Sequence, residues 1–171
     1  MASKDIIKET LAVPAGITAK VEGADVSVSG PKGKQAMKLA LPGLSIKHSG
    51  SNITLEGAMR EVNTARAHIR NMFNGSANGY SQKMKVLYAH FPIALEIKGK
   101  DLVIKNFIGE KQPRKAKIVG ETKVEAKGAD VTVSGPSRED VGQTIANIRR
   151  NTKIKGRDSR VFQDGIYPIE S

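Results

Sequence analysis

The sequence predicts an α+β fold: two duplicated modules, each a small, mostly antiparallel sheet packed with one main helix. Three observations carry this expectation. A nine-residue segment occurs twice, an apolar stripe at helical spacing occurs in each half, and short stretches of alternating polarity fill the intervals.

The repeated segment is GADVSVSGP at 23–31 and GADVTVSGP at 128–136, differing only at Ser27 and Thr132. Lys-Val-Glu precedes each copy, at 20–22 and 123–125, with two extra residues before the second. Val26 and Val28 alternate with Ser27 and Ser29, and Val131 and Val133 alternate with Thr132 and Ser134. That is the period of a strand with one buried face. Gly-Ala-Asp supplies the turn from the preceding strand, and Gly-Pro ends the run because proline has no N–H for a ladder. Because specific polar residues recur, the two segments are expected to be the same part of two copies of one module.

A helix is predicted in each half. In the first, Val62, Ala65, Ile69 and Met72 form one apolar face, and the helix should fade near Asn74-Gly75. In the second, Ser137 is a suitable N-cap, and Glu139 and Asp140 sit in the first turn, where the helix dipole favours them. Val141, Ile145 and Ile148 form its stripe, with Arg149 and Arg150 at the C-terminal end. Both helices carry Ala-x-Ile-Arg, Ala67 to Arg70 and Ala146 to Arg149. Short strands are expected at 34–40, 45–49 and 51–56, and again at 82–90, 94–98, 101–107 and 115–119, with a hairpin turn at 98–101. The stretch Asn74-Gly-Ser-Ala-Asn-Gly79 marks the boundary between a first module, 1–79, and a second, 80–171, with a basic C-terminal tail.

Composition narrows the function. Aromatics are 4% of the chain and Trp is absent, so each core must be aliphatic. Cysteine is absent, which excludes disulfides, thiolate nucleophiles and Cys-ligated zinc. The N-terminus lacks an apolar leader and no stretch approaches the ~18 residues of a membrane span, so an intracellular, cytoplasmic protein is expected. The net charge is +11, with 28 Lys and Arg against 17 Asp and Glu, the footprint of a polyanion binder rather than of a mere lysine coat. Residues 1–81 hold 10 basic and 6 acidic residues, and residues 82–171 hold 18 and 11. The excess gathers in the loop 111–117 and from Arg149 to Arg160.

Catalytic patterns are missing. His48, His68 and His90 are far apart and none has a metal-ligand spacing, so each is expected to be structural or solvated. Gly30-Pro-Lys-Gly33-Lys34 has two residues between its glycines, not the four of a P-loop, and strands rather than helices flank it, which excludes a KH loop. It is a turn. The carboxylates are scattered among lysines, and no Gly-x-Ser-x-Gly elbow is present. The protein is expected not to be an enzyme, and to carry no cofactor or metal. The tail is more telling. Lys155, Arg157 and Arg160 are spaced to meet successive phosphates, while Phe162 or Tyr167 can stack on a base or pack the tail down. Asp164-Gly165 suggests a tight turn there.

The duplicated halves, the GADV-x-VSGP hairpins and the ending Arg157-x-x-Arg160-x-Phe162-x-Asp164-Gly165-Ile166-Tyr167 resemble the large-subunit ribosomal protein L-six family across essentially the whole chain. The tail resembles the archaeal and eukaryotic form, and the short C-terminus leans archaeal. Pro168 and Arg150 depart from the family, which usually has an aliphatic residue and often Gln there. The resemblance implies a ribonucleoprotein subunit in translation, bound to large-subunit rRNA mainly through the second module and its tail. It also implies a place near the stalk base and the sarcin–ricin region, beside neighbouring ribosomal proteins, with no membrane and no homo-oligomer. The expected rRNA contacts are Lys111, Arg114, Lys115, Lys117, Arg150, Lys153, Lys155, Arg157, Arg160 and Tyr167. Arg149 is expected to pack along its helix instead. The alternative is a basic protein-interaction module with acidic partners.

Overall fold

The computed structural model of the chain describes residues 6–158 and 160–169. The fold is α+β, in two compact units that divide between Gly79 and Tyr80. The first contains β1 (Ile6–Ala12), β2 (Thr18–Glu22), β3 (Asp25–Gly30), β4 (Gly33–Lys38), β5 (Ser45–Ser49), β6 (Asn52–Ala58) and α1 (Met59–Ala77). The second contains β7 (Tyr80–Leu87), β8 (Ala94–Lys98), β9 (Asp101–Lys105), β10 (Arg114–Lys117), β11 (Lys123–Lys127), β12 (Asp130–Gly135), α2 (Arg138–Asn151) and β13 (Gly165–Pro168). A 3-10 turn, Phe107–Gly109, links β9 to β10.

Strand order defines the duplication. The first unit has sheets β1-β6-β5 and β2-β3-β4; the second has β7-β12-β11 and β8-β9-β10, every pair antiparallel. The two plans coincide element for element, with the helix following β6 in one and β12 in the other. Among the described elements, β13, which pairs with β7, and the 3-10 turn have no counterpart in the first unit.

This order corrects one expectation. The nine-residue segments do not occupy equivalent places. The first forms the β2–β3 hairpin, whereas the second forms β11–β12, whose counterpart is β5–β6. Nor do the two Lys-Val-Glu segments align when the hairpin turns are superposed. Val21 faces Val26, but Val124 faces Val133, two residues further from its turn. A shift of two preserves the buried face, since side chains alternate with period two. The segments are therefore one local solution to a Gly-turned hairpin, used in two different slots. Their glycines confirm the difference. A Cβ on Gly30 would lie 2.5 Å from the Ser76 carbonyl oxygen at the end of α1, whereas one on Gly135 would crowd the Thr122 backbone at 3.3 Å, just before β11. A Cβ on Gly57 would lie 2.8 Å from the Gly43 carbonyl oxygen just before β5, so Gly57 is the true counterpart of Gly135.

The helices bury the predicted stripes. Val62, Ala65, Ile69 and Met72 of α1 pack with Val26 and Val28 of β3 and Ile53 and Leu55 of β6, forming an aliphatic core capped by Phe73. In α2, Val141 and Ile148 are buried, Ile145 is only half-buried, and Thr144 takes the remaining inward place. The Thr144 hydroxyl accepts the Val119 N–H at 3.1 Å, which makes that polar group tolerable in the core. Helix α1 runs to Ala77, past the expected end at Asn74-Gly75. The β3–β4 turn holds its last turn: Lys32 N–H donates to the Ser76 carbonyl at 3.0 Å, and Gln35 donates to the Met72 carbonyl at 3.1 Å and to Ser76 Oγ at 3.2 Å. Tertiary hydrogen bonds thus outweigh the weak helix propensity of glycine. Strand β1 was not foreseen. Strand β7 ends at Leu87, and β9 ends at Lys105, because Asn106 and Ile108 take left-handed φ of 57° and 52°.

Candidate nucleic-acid interface

In the second unit, one arginine ties the two basic segments together. Arg114, at the start of β10, donates Nη1 to the carbonyl of Asn151, the last residue of α2, at 2.8 Å, and to that of Lys153 at 3.3 Å. A cation on the last carbonyls of a helix satisfies orphan acceptors and complements the dipole. Its Nε bonds Glu110 at 2.8 Å, its Nη2 bonds the other oxygen of the same carboxylate, and its guanidinium carbon lies 4.4 Å from the centre of the Phe107 ring. The bonds from Arg114 hold the Glu110 carboxyl below its ordinary range. Arg114 was expected among the phosphate contacts; the donors named above go to protein acceptors, and its side chain is 27% exposed. It is a strut.

Strand alternation then sorts its neighbours. Ala116 is buried and Arg114 half-buried on the inner side of β10, so Lys115 and Lys117 project outward and are exposed. Lys111 is exposed in the turn before the strand. The strand expected at 115–119 is thus β10, Arg114–Lys117, and the rest of the 111–117 segment is the turn before it.

The end of α2 is tied down a second time by buried Thr152. Its hydroxyl donates to the Ile148 carbonyl at 3.1 Å and accepts the Ile166 N–H at 3.4 Å, joining the helix to β13. Between these ties, Arg149, Arg150, Lys153, Lys155, Arg157 and Arg160 are all exposed. Arg149, expected to pack along the helix, is exposed like Arg150.

The tail is ordered by Asp158 and Asp164. The Asp158 carboxylate accepts the Arg160 N–H at 2.9 Å, and its carbonyl accepts Phe162 N–H at 2.9 Å, so the tail turns at Arg160 and Val161. The expected turn at Asp164-Gly165 is absent: Gly165 opens β13 opposite Leu87, and Asp164 is a buried anchor. The Asp164 carboxylate accepts N–H bonds from Ala89 at 3.2 Å and His90 at 3.5 Å, and one from His90 Nδ1 at 3.3 Å. Burial alone would raise this carboxyl. The bonds from Ala89 and His90 outweigh burial and leave it below its ordinary value. The His90 ring stacks on Phe162, centroids 4.6 Å apart, and the Arg157 guanidinium lies 4.8 Å from the same ring. Phe162 therefore packs the tail down. Pro168 fits its place on the edge strand because the next ladder bond is donated by Ile169, to Lys83 O at 3.0 Å.

An open groove of about 570 Å³ runs between the end of α2 and the tail, lined by Arg149, Arg150, Lys153, Ile154, Phe162 and Tyr167 among others. It brings together three cations from the helix end and one exposed aromatic from β13. Lys111, Lys115 and Lys117 do not line it. No group of His, Asp or Glu among the described residues is arranged to hold a metal ion.

Exposed cations at a pinned helix end, beside an ordered basic tail, define a polyanion-binding α+β protein. Comparison with known proteins makes the class specific. The family model for Ribosomal protein L6 matches residues 91–165. The chain is 42% identical over 169 residues to the large ribosomal subunit protein uL6 of Methanobrevibacter smithii, covering 95% of each. It is 44% identical over 162 residues to uL6 of Methanocella arvoryzae, covering 91% of this chain and 92% of the relative. With uL6 of Natronomonas pharaonis the identity is 39% over 171 residues, covering 96% and 97%. The chain belongs to the uL6 family of large ribosomal subunit proteins. It is a structural constituent of the cytoplasmic ribosome, acts in translation and is not an enzyme.

Proposed function

We propose that residues 80–171 form the module that binds large-subunit rRNA, through Lys111, Lys115 and Lys117 on one side and Arg150, Lys153, Lys155, Arg157, Arg160 and Tyr167 on the other. The observation that carries this is the Arg114 strut. By bonding the Asn151 and Lys153 carbonyls, it fixes the helix end and the start of the tail to β10, so both groups of cations are set before RNA arrives. Cations carried on a fixed backbone lose little loop freedom on binding, and each phosphate they neutralise releases counterions. Recognition then follows the shape and 2′-OH pattern of folded RNA more than its base sequence.

The module sits near the stalk base and the sarcin–ricin region, beside other ribosomal proteins. The absence of cysteine makes a direct test simple. A Lys155→Cys chain carries one thiol for a tethered iron chelate, and in reconstituted large subunits hydroxyl radicals should cut rRNA strands of those two regions. Cuts confined to other parts of the rRNA contradict the placement.

A further inference from the structure

We infer that the groove between the end of α2 and the tail holds one unstacked nucleobase, with the phosphates flanking it on Arg149, Arg150 and Lys153. The inference rests on the rRNA-binding reading and gives this part of the module a ligand.

The lining divides by chemistry. Its rim carries the three exposed cations, whereas its floor is Ile166 and Thr152, both buried, with Ile154 and Phe162 half-buried; the Thr152 hydroxyl is already bonded to the Ile148 carbonyl and the Ile166 N–H. An apolar floor offers a phosphate nothing. It suits the flat face of a base that has left its stack. Groove volume, about 570 Å³, lies within the ~300–1,000 Å³ typical of small-ligand sites.

Tyr167 is preset for stacking. Its ring lies across the backbone of Gly165, where an added Cβ would sit 3.0–3.1 Å from Cε2, Cζ and the hydroxyl oxygen. Its hydroxyl donates to the Gln163 carbonyl at 3.3 Å. Glycine at 165 therefore lets the ring lie flat, while 41% of the residue stays exposed toward solvent and the groove. An aromatic held in one orientation needs no ordering when a base arrives. Gln163, also on the lining, adds an adaptable amide for a base edge.

The test uses the full chain and deproteinised large-subunit rRNA. Tyr167→Leu should weaken binding about tenfold, since stacking on an aromatic is lost, and leave the salt slope unchanged. Tyr167→Phe, which keeps the ring, should bind within about twofold of the parent. Arg150→Ala should weaken binding and reduce the salt slope by about 0.7–0.9. Ultraviolet cross-linking of the unmodified chain should leave a nucleotide adduct on Tyr167, which decides the matter even if Tyr167→Leu fails to fold. Parent-like binding by a folded Tyr167→Leu chain, or cross-links confined to other residues, overturns the groove while Arg150→Ala still shows RNA binding. If Arg150→Ala and Lys153→Ala are also silent, the rRNA-binding reading falls with it.

Discussion

Asp164, with no exposed side-chain surface, takes the ring N–H of His90 at 3.3 Å and so joins the tail to the segment that follows β7. The two residues lie 74 positions apart. Through the His90–Phe162 stack and the Arg157 contact, one buried carboxylate sets the course of the basic tail.

Asp164→Ala should free that tail. The substitution leaves the Ala89 and His90 donors without their acceptor, a loss of roughly 1.5–3 kcal/mol for bonds to a charged group. Amide exchange at Ala89, His90 and Ile166 should speed up, while amides of β2 and β3 should stay protected. Uniform acceleration across both units would contradict a local latch.

Acid should do the same reversibly. The folded carboxyl lies below its ordinary value of 3.8, so its stabilising contribution is complete above that value. It is lost as pH falls through the lower folded value. Lowering pH from 7 to about 5 should therefore not loosen the latch through this group. The carboxyl carbon resonance of Asp164, followed by NMR, should show no carboxyl titration over that range and titrate only in stronger acid. An Asp164 carboxyl that titrates above pH 5 would refute the assignment.

Two glycines should respond in opposite senses to alanine. Gly30→Ala places a methyl 2.5 Å from backbone oxygen at Ser76, so the turn must part from the end of α1; a loss of about 1–3 kcal/mol is expected, as for overpacking. Gly142 lies inside α2, is exposed, and has nothing within 4 Å of an added Cβ. Gly142→Ala should stabilise by about 0.5–1 kcal/mol, from helix propensity. Thermal denaturation of the two variants checks the signs.

Arg114→Lys should fail as a conservative change. A lysine keeps the charge, but one ammonium does not reproduce the bidentate Glu110 pair together with the two carbonyl bonds. A loss of about 1–2 kcal/mol is expected, felt at the end of α2. Amide exchange should show fraying at Thr152, whose N–H bonds Ile148 O in the parent.

Local signals in the sequence located most of the elements. The stripes of α1 and α2 were legible because a period near 3.6 survives every surface substitution, and Ser137 does accept the Asp140 N–H at 3.2 Å. Strand β1 was not, because IIKETLA opens on two adjacent isoleucines and alternates only between half-buried and exposed positions. The near-identical hairpins misled for a physical reason. A Gly-Ala-Asp turn and alternating valines satisfy a hairpin anywhere, so likeness of sequence did not specify the slot. At the interface, the clustering of cations was visible in composition. The roles of Arg114, His90 and Asp164 were not, because each depends on partners brought together only by strand pairing and helix docking. Arg114 looked like any other cation of a basic segment, and only its neighbours make it a strut.

The central claim is that exposed cations of the second unit neutralise rRNA phosphates, and the salt dependence of binding measures it most directly. For the full chain on deproteinised large-subunit rRNA, phosphate contacts by five or six of the eight proposed cations predict a plot of log K against log salt with a slope of about −4 to −5. Changing Arg157 and Arg160 together to Ala should flatten the slope by about 1.5–2 and weaken binding. A flat dependence for the parent chain, or an unchanged slope and affinity in the double variant, would contradict the account.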